Sequence, residues 1–199
     1  MDVTTLIDAV AQIKCQADEL THQEVIDSLS RPLAEFTTSA ENQGFAEAYG
    51  PSGNYTRLLL NDPREPYQIV LVFWGPGRGS PIHDHDDTIG AVSALTGEAK
   101  EIKYGVTRCQ GERVKLTQGS EFTIAPGRVT PILPEADKQL HLMVNEETRW
   151  AATVHIYLTA IHRYRQYEPT PDGSFRTAET SLWFDECRVA RRMPTRTRI

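Results

Sequence analysis

The sequence predicts an all-β-dominated fold, a barrel or sandwich of the jelly-roll type behind a helical N-terminal segment, and three observations predict it. Short apolar runs rich in β-branched and aromatic residues succeed one another from about Tyr55, separated by Gly, Pro or charged turns. A helical period is confined to residues 1–50. Strand and helix patterns do not alternate, which argues against a parallel α/β sheet, and no internal repeat is present.

Taken in order, Leu6, Val10 and Ile13 recur at helical spacing, and Ser30 followed by Pro32 reads as the start of a second helix. The run Gln68–Trp74 is a buried strand, ended by the turn-forming Gly75-Pro-Gly-Arg-Gly79. Further strands are expected around Ala91–Leu95, Ala99–Val106, Arg113–Thr117, Phe122–Ala125, Leu140–Val144 and Ala152–Leu158. Gly75, Gly77 and Gly79 do not form a nucleotide loop, because no helix pattern follows and Pro76 and Pro81 intrude. The expectation is one domain over 1–199: a helical segment to residue 50, a barrel over 51–168, and a loop-rich cover and tail over 169–199.

Composition narrows the function classes. With 39% hydrophobic and 24% charged residues the chain is ordinary for a globular protein, and a formal charge of −6 argues against nucleic acid as the main partner. Arg188, Arg191, Arg192, Arg196 and Arg198 are expected to form a solvated tail or to fold back on an acidic surface. Asp2, Asp8 and Lys14 interrupt every apolar run near the N-terminus, so neither a signal peptide nor a membrane span is expected. Cys15, Cys109 and Cys187 are odd in number and widely spaced, which fits reduced thiols in a cytoplasmic protein.

The histidines carry the chemistry. His83 and His85 stand in Pro81-Ile-His-Asp-His85, and residues two apart in a strand share a face, so both imidazoles aim at one space. A metal needs that convergence, because its ligands lie about 2 Å from a common point. A third ligand from a distant strand would leave coordination positions open. His141, flanked by Leu140 and Leu142, is the best candidate. His155 competes, but Thr153, His155 and Tyr157 share one face, which suits a hydrogen-bonded relay better. His22 and His162 read as structural or surface residues.

These segments resemble the cysteine dioxygenase family of cupins. The matches run in order: Tyr55-Thr-Arg57, Trp74-Gly-Pro-Gly-Arg-Gly-Ser-Pro-Ile-His-Asp-His85, Leu140-His-Leu-Met-Val-Asn145 and Thr153-Val-His-Ile-Tyr157. The resemblance implies a cupin barrel in which His83, His85 and His141 hold Fe2+ without a carboxylate ligand. It implies that Arg57 grips the substrate carboxylate, that Tyr55 lines the pocket beside it, and that Thr153, His155 and Tyr157 form the outer relay, with Thr153 in place of serine. Three departures stand out. Gly90 occupies the position of the cysteine that crosslinks to the active-site tyrosine in animal members. Leu158-Thr-Ala160 replaces a Ser-Pro-Pro turn, and His-Leu-Met-Val-Asn replaces His-Arg-Val-Glu-Asn around the third histidine.

The implied reaction is oxidation of a small thiol by O2 to its sulfinic acid. A divalent metal held by neutral imidazoles favours an anionic thiolate and lowers the thiol pKa below about 8.5. Arg57 tilts the choice of thiol to cysteine, since relatives favouring 3-mercaptopropionate tend to have glutamine there, while the lost Ser-Pro turn tilts it back. Arg163 and Arg165 raise a further option. Either they pair with surface acids or Glu168, or one enters the pocket and admits a mercapto-dicarboxylate such as mercaptosuccinate. Two other classes compete: a cupin isomerase using zinc, nickel or manganese with Asp84 or Asp86 as added ligand, and a non-enzymatic binding or sensing cupin. Asp84 falls on the opposite strand face from the histidines, and so does Asp86 unless the strand ends first. A mere binder would have no use for an oxygen-side tyrosine.

Overall fold

Capping decides where the helices begin. In the computed structural model, which describes residues 1–49, 55–110, 113–135 and 140–187, α1 (Val3–Gln16) starts where the Asp2 carboxylate accepts the Thr5 N–H at 2.8 Å. Helix α2 (His22–Thr37) starts at a capping box, the Thr21 hydroxyl accepting from the Glu24 N–H while the Glu24 carboxylate accepts from the Thr21 N–H. The second helix therefore does not start at Ser30, and Pro32 lies inside it. Pro32 gives up one helical N–H, but its ring is buried beside Leu29, Leu33 and Phe36, and burial outweighs local propensity. A shorter α3 (Ala40–Tyr49) follows. The arginine-rich tail from Arg188 onward lies outside the described residues.

Among the described residues twelve strands make two sheets: β1 (Tyr55–Leu59), β2 (Gln68–Trp74), β3 (Ile82–His83), β4 (Gly90–Thr96), β5 (Ala99–Gln110), β6 (Arg113–Ile124), β7 (Val129–Ile132), β8 (Leu140–Val144), β9 (Ala151–Tyr157), β10 (Arg163–Pro169), β11 (Phe175–Ser181) and β12 (Glu186–Cys187). The first sheet runs β12-β1-β2-β9-β4-β7, and the second closes on itself in the order β10-β11-β6-β5-β8-β3. The jelly-roll barrel behind a helical segment is thus the observed architecture.

Two expectations need correction. Arg113–Thr117 and Phe122–Ala125 belong to one strand, β6, because β5 pairs with it from Ala99↔Ile124 to Gln110↔Arg113 and carries it through Gly119. Residues beyond Pro169 are not only loops: β11 pairs with β10 and β6, and β12 runs parallel to β1. Both were hidden because β11 is half-buried to exposed along its length and β12 exposed, so neither carries an apolar alternation.

The central strands β2 and β9 of the first sheet are buried on both faces, and alternation sorts their residues. Ile69, Leu71 and Phe73 on β2, with Ala152, Val154 and Ile156 on β9, pack against Leu6, Val10, Leu29, Leu33 and Phe36 of the helices. Val70, Val72 and Trp74 face the barrel interior with Tyr157. The same alternation on β1 and β9 turns Tyr55, Arg57, Thr153, His155 and Tyr157 inward. No helix among the described residues is long and apolar enough to cross a membrane.

Candidate metal centre

Close backbone approach delivers the first two histidines. A Cβ on Gly79 would lie 2.5 Å from the Met143 carbonyl oxygen, so the turn can press onto β8 only with glycine there. Ser80 then bonds Met143 twice, its N–H donating to the carbonyl at 2.8 Å and its hydroxyl accepting the N–H at 3.0 Å. β3, only two residues long, sets His83 directly opposite His141 of β8. Regular pairing ends there, yet the alternation persists to His85, because the Asp84 N–H still donates to the Arg165 carbonyl.

The ring nitrogens of His83, His85 and His141 lie within 4.8 Å of one another, the one such group of His, Cys, Asp or Glu among the described residues. The Nε2 atoms of His85 and His141 are 3.1 Å apart, and those of His141 and His83 3.3 Å. Nitrogens held about 2.0–2.1 Å from one ion are separated by roughly 3.0–3.4 Å, so these distances fit a shared metal. Proton placement agrees. His83 Nδ1–H donates to the Pro81 carbonyl at 2.9 Å and His141 Nδ1–H to Glu101, which leaves both Nε2 lone pairs directed at the common point. Burial pushes His83 down to about 4 and holds His85 and His141 well below the ordinary imidazole range, so all are neutral at pH 7 and competent as ligands. His155 does not join them. Asp84 accepts from both the N–H and the Nε–H of Arg165 and is not part of the converging group, and the exposed Asp86 turns off at φ 51°.

Next to the histidines is a cavity whose lining includes Tyr55, Arg57, Tyr157, Ile161, Tyr164 and Leu182. Arg57 Nε–H donates to the Tyr55 hydroxyl at 2.6 Å, and Nη2 reaches Tyr164 Oη at 3.5 Å. Trp183 covers the guanidinium at 5.4 Å. Among the described residues no carboxylate comes within ion-pair distance of that guanidinium. Burial raises the Tyr55 phenol to about 12 and pushes Tyr157 higher still, so both hydroxyls keep their protons.

On β9, Thr153 Oγ1 lies 2.8 Å from His155 Nε2, and His155 Nδ1 lies 3.2 Å from the Tyr157 hydroxyl. Trp74 Nε1–H, which can only donate, bonds Thr153 Oγ1 at 2.8 Å. Thr153 Oγ1 thus accepts from Trp74 and meets His155 Nε2, and the His155 Nδ1 contact extends this chain to the Tyr157 hydroxyl. Tyr157 in turn lines the cavity. Gly90 pairs with Tyr157 across β4 and β9, and Cys15, Cys109 and Cys187 are all exposed.

The second-arginine option does not survive. Arg163 bonds Glu179 at 2.8 Å on the surface and Arg165 bonds the buried Asp84 at 2.7 Å, while Glu168 takes Arg176. Tyr164, between those arginines, is the residue that turns inward, as alternation along β10 demands. Sequence reasoning missed Tyr164, Trp74 as a hydrogen-bond donor, and Glu101 and Lys103 on β5. The last two carried a signal, since charges two apart in a strand share a face, but nothing local said that this face is interior.

Comparison with known proteins follows the same line. The sequence model of the family "Cysteine dioxygenase type I" matches residues 1–170. Cysteine dioxygenase type 1 of Danio rerio is 38% identical over 50 residues, and that of Rattus norvegicus 36% over 50 residues. Each match spans 25% of this chain and 25% of the relative. Among solved structures, an oxalate oxidase in complex with the substrate analogue glycolate aligns with TM-score 0.42 and 16% identity, covering 55% of this chain and 53% of that one.

Proposed function

The chain belongs to the cysteine dioxygenase type I family, and from that premise we propose that it is an Fe2+-dependent thiol dioxygenase that converts a small thiol carboxylate, L-cysteine first, into its sulfinic acid. The observation that supports this reading is the set of neutral imidazoles, His83, His85 and His141, beside a half-buried guanidinium that lacks a carboxylate partner among the described residues. The balance is simple: one thiol and one O2 give one sulfinic acid, sulfur being oxidised and both oxygen atoms retained. Fe2+ bound by the three histidines would supply the open positions and electrons that bring thiolate and O2 together.

The chain's own residues supply placement. Arg57 takes the carboxylate through its free N–H groups while Tyr55 holds its Nε, so the guanidinium plane is set before substrate arrives. Tyr157, aligned by His155, Thr153 and Trp74, donates its O–H toward the sulfur or oxygen side of the substrate. Val70, Val72, Trp74 and Ile161 exclude water around the reacting atoms. A substrate with one carboxylate fits this pocket, since Arg163 and Arg165 are committed elsewhere. The free cysteines fit a reducing cytoplasm, where such thiols are found.

The deciding experiment is O2 uptake with sulfinate detection on iron-loaded protein, using cysteine, 3-mercaptopropionate and mercaptosuccinate in parallel. Cysteine sulfinate formed with matched O2 consumption supports the reading. Iron-loaded protein that consumes no O2 with any of these thiols overturns it.

A further inference from the structure

Behind His141, on the side away from the cavity, β5 carries a buried ion pair that the reaction itself does not use. Lys103 stands opposite His141 in the β5–β8 register, and Glu101, two residues away on the same face, stands opposite Met143. Glu101 Oε1 accepts from His141 Nδ1–H at 2.5 Å and from Lys103 Nζ–H at 2.6 Å, and Lys103 also donates to the Pro131 carbonyl at 2.9 Å. Glu101 Oε2 is buried with no hydrogen-bond partner. The Glu101 and His141 side chains are at most 1% exposed, and that of Lys103 8%.

Fully buried ion pairs are poor stabilisers, because desolvation offsets their attraction and an apolar replacement is often as stable. An orphaned carboxylate oxygen makes this one poorer. Its geometry does select one thing, the state of His141. The three candidate ligands have three different supports: a neutral backbone carbonyl for His83, no partner at Nδ1 for the buried His85, and a carboxylate for His141. A carboxylate acceptor fixes the Nδ1–H tautomer and raises electron density at Nε2. Lys103 shares the same oxygen and opposes that effect.

We infer that Glu101 and Lys103 are an opposed positioning pair for His141, Glu101 making it the strongest donor of the three ligands and Lys103 limiting that strength. This rests on the reading that His83, His85 and His141 hold a divalent metal. The two charges then act on a bound cation with opposite signs. Glu101→Gln leaves the lysine cation unopposed and weakens metal binding, by about 10- to 100-fold. Lys103→Met leaves a carboxylate that a metal cation compensates, and tightens binding several-fold. A pair that served packing alone would lower affinity and stability together in both variants.

The test uses Zn2+ alone, a redox-silent probe, competed against a chromophoric chelator on metal-free full-length chain, with urea unfolding of each metal-free variant alongside. Weaker binding in Glu101→Gln with tighter binding in Lys103→Met is the expected result. Should Glu101→Gln fail to fold, Lys103→Met decides alone, because unchanged or weaker binding there overturns the inference. A second readout is the imidazole 15N spectrum of the metal-free wild type, in which His141 is expected to be protonated on Nδ1; protonation on Nε2 overturns it. A wild type that binds no Zn2+ overturns the functional reading along with this one. Normal wild-type binding with parallel losses in both variants overturns this inference alone.

Discussion

Gly90 and Tyr157 are partners across β4 and β9, and a Cβ on Gly90 would lie 2.1 Å from the Ile156 carbonyl oxygen. No side chain fits between these strands unless the backbone moves. The position that carries a crosslinking cysteine in animal members of the family is therefore closed to one in this chain. Gly90→Cys is expected to lower stability by about 1–3 kcal/mol, the usual cost of overpacking, without linking to Tyr157. Urea unfolding and peptide mass spectrometry check both halves. A stable, crosslinked variant would show that β4 shifts more readily than this packing allows.

Metal content separates the ligands from the relay. Purified protein is expected to bind one iron per chain, and His83→Ala, His85→Ala or His141→Ala to abolish iron and turnover together. His155→Ala is expected to keep its iron. Iron retained in His141→Ala but lost in His155→Ala would exchange their roles.

Loss of the Tyr157 hydroxyl should leave iron in place and slow turnover. Tyr157→Phe is expected to reduce kcat by about 10- to 1000-fold, the scale for one oriented donor. Trp74→Phe, which frees Thr153 to reorient, should give a smaller loss of the same kind. Steady-state kinetics on iron-matched samples measures both, and unchanged kcat in Tyr157→Phe would reduce that residue to packing.

Arg57→Ala is expected to lower kcat/KM for cysteine by about 30- to 4000-fold, equivalent to about 2–5 kcal/mol for a desolvated charge pair. The loss should nearly vanish with cysteamine, which has no carboxylate to grip. An Arg163/Arg165 double alanine variant should treat cysteine, 3-mercaptopropionate and mercaptosuccinate as wild type does, because neither arginine lines the cavity. Altered selectivity in that double variant would restore them to the site.

Stability of the metal-free protein should depend on pH in a defined window. Burial depresses His83 to about 4 and His155 to about 3, against an ordinary value of 6.5. Above pH 6.5 both are neutral folded or unfolded, and stability does not change on their account. As pH falls below 6.5 the unfolded chain takes up protons that the folded chain refuses, so stability drops by about 1.4 kcal/mol per pH unit for each group. The decline levels as pH passes each folded value. Urea midpoints from pH 7.5 to 4.5 measure it, and His155→Gln should remove its share of the slope. A flat profile would mean that these imidazoles are solvated.

Much of this was legible in the chain itself. Alternation along Thr153-Val-His-Ile-Tyr157 places three polar side chains on one face whatever the fold, and the spacing of His83 and His85 does the same, because side-chain direction in extended backbone is local geometry. The Leu6 and Val10 stripe and the Gln68–Trp74 run are local in the same sense. What tertiary structure decided were the matters that depend on distant partners. His141 rather than His155 meets the pair because β3 lies against β8, a register written in no single segment. The strands β11 and β12 exist because neighbouring backbones pair with them, although their side chains carry no apolar period. Alternation puts Tyr164 and its neighbours Arg163 and Arg165 on opposite faces of β10, but which face looks into the cavity, and that Arg165 meets Asp84, depend on distant strands. Glu101 and Lys103 read as surface charges until the second sheet closes and puts their face inside, where they pair with each other, with His141 and with the Pro131 carbonyl. Local covalent geometry sets which way each side chain points; only closure of the sheets determines what it meets.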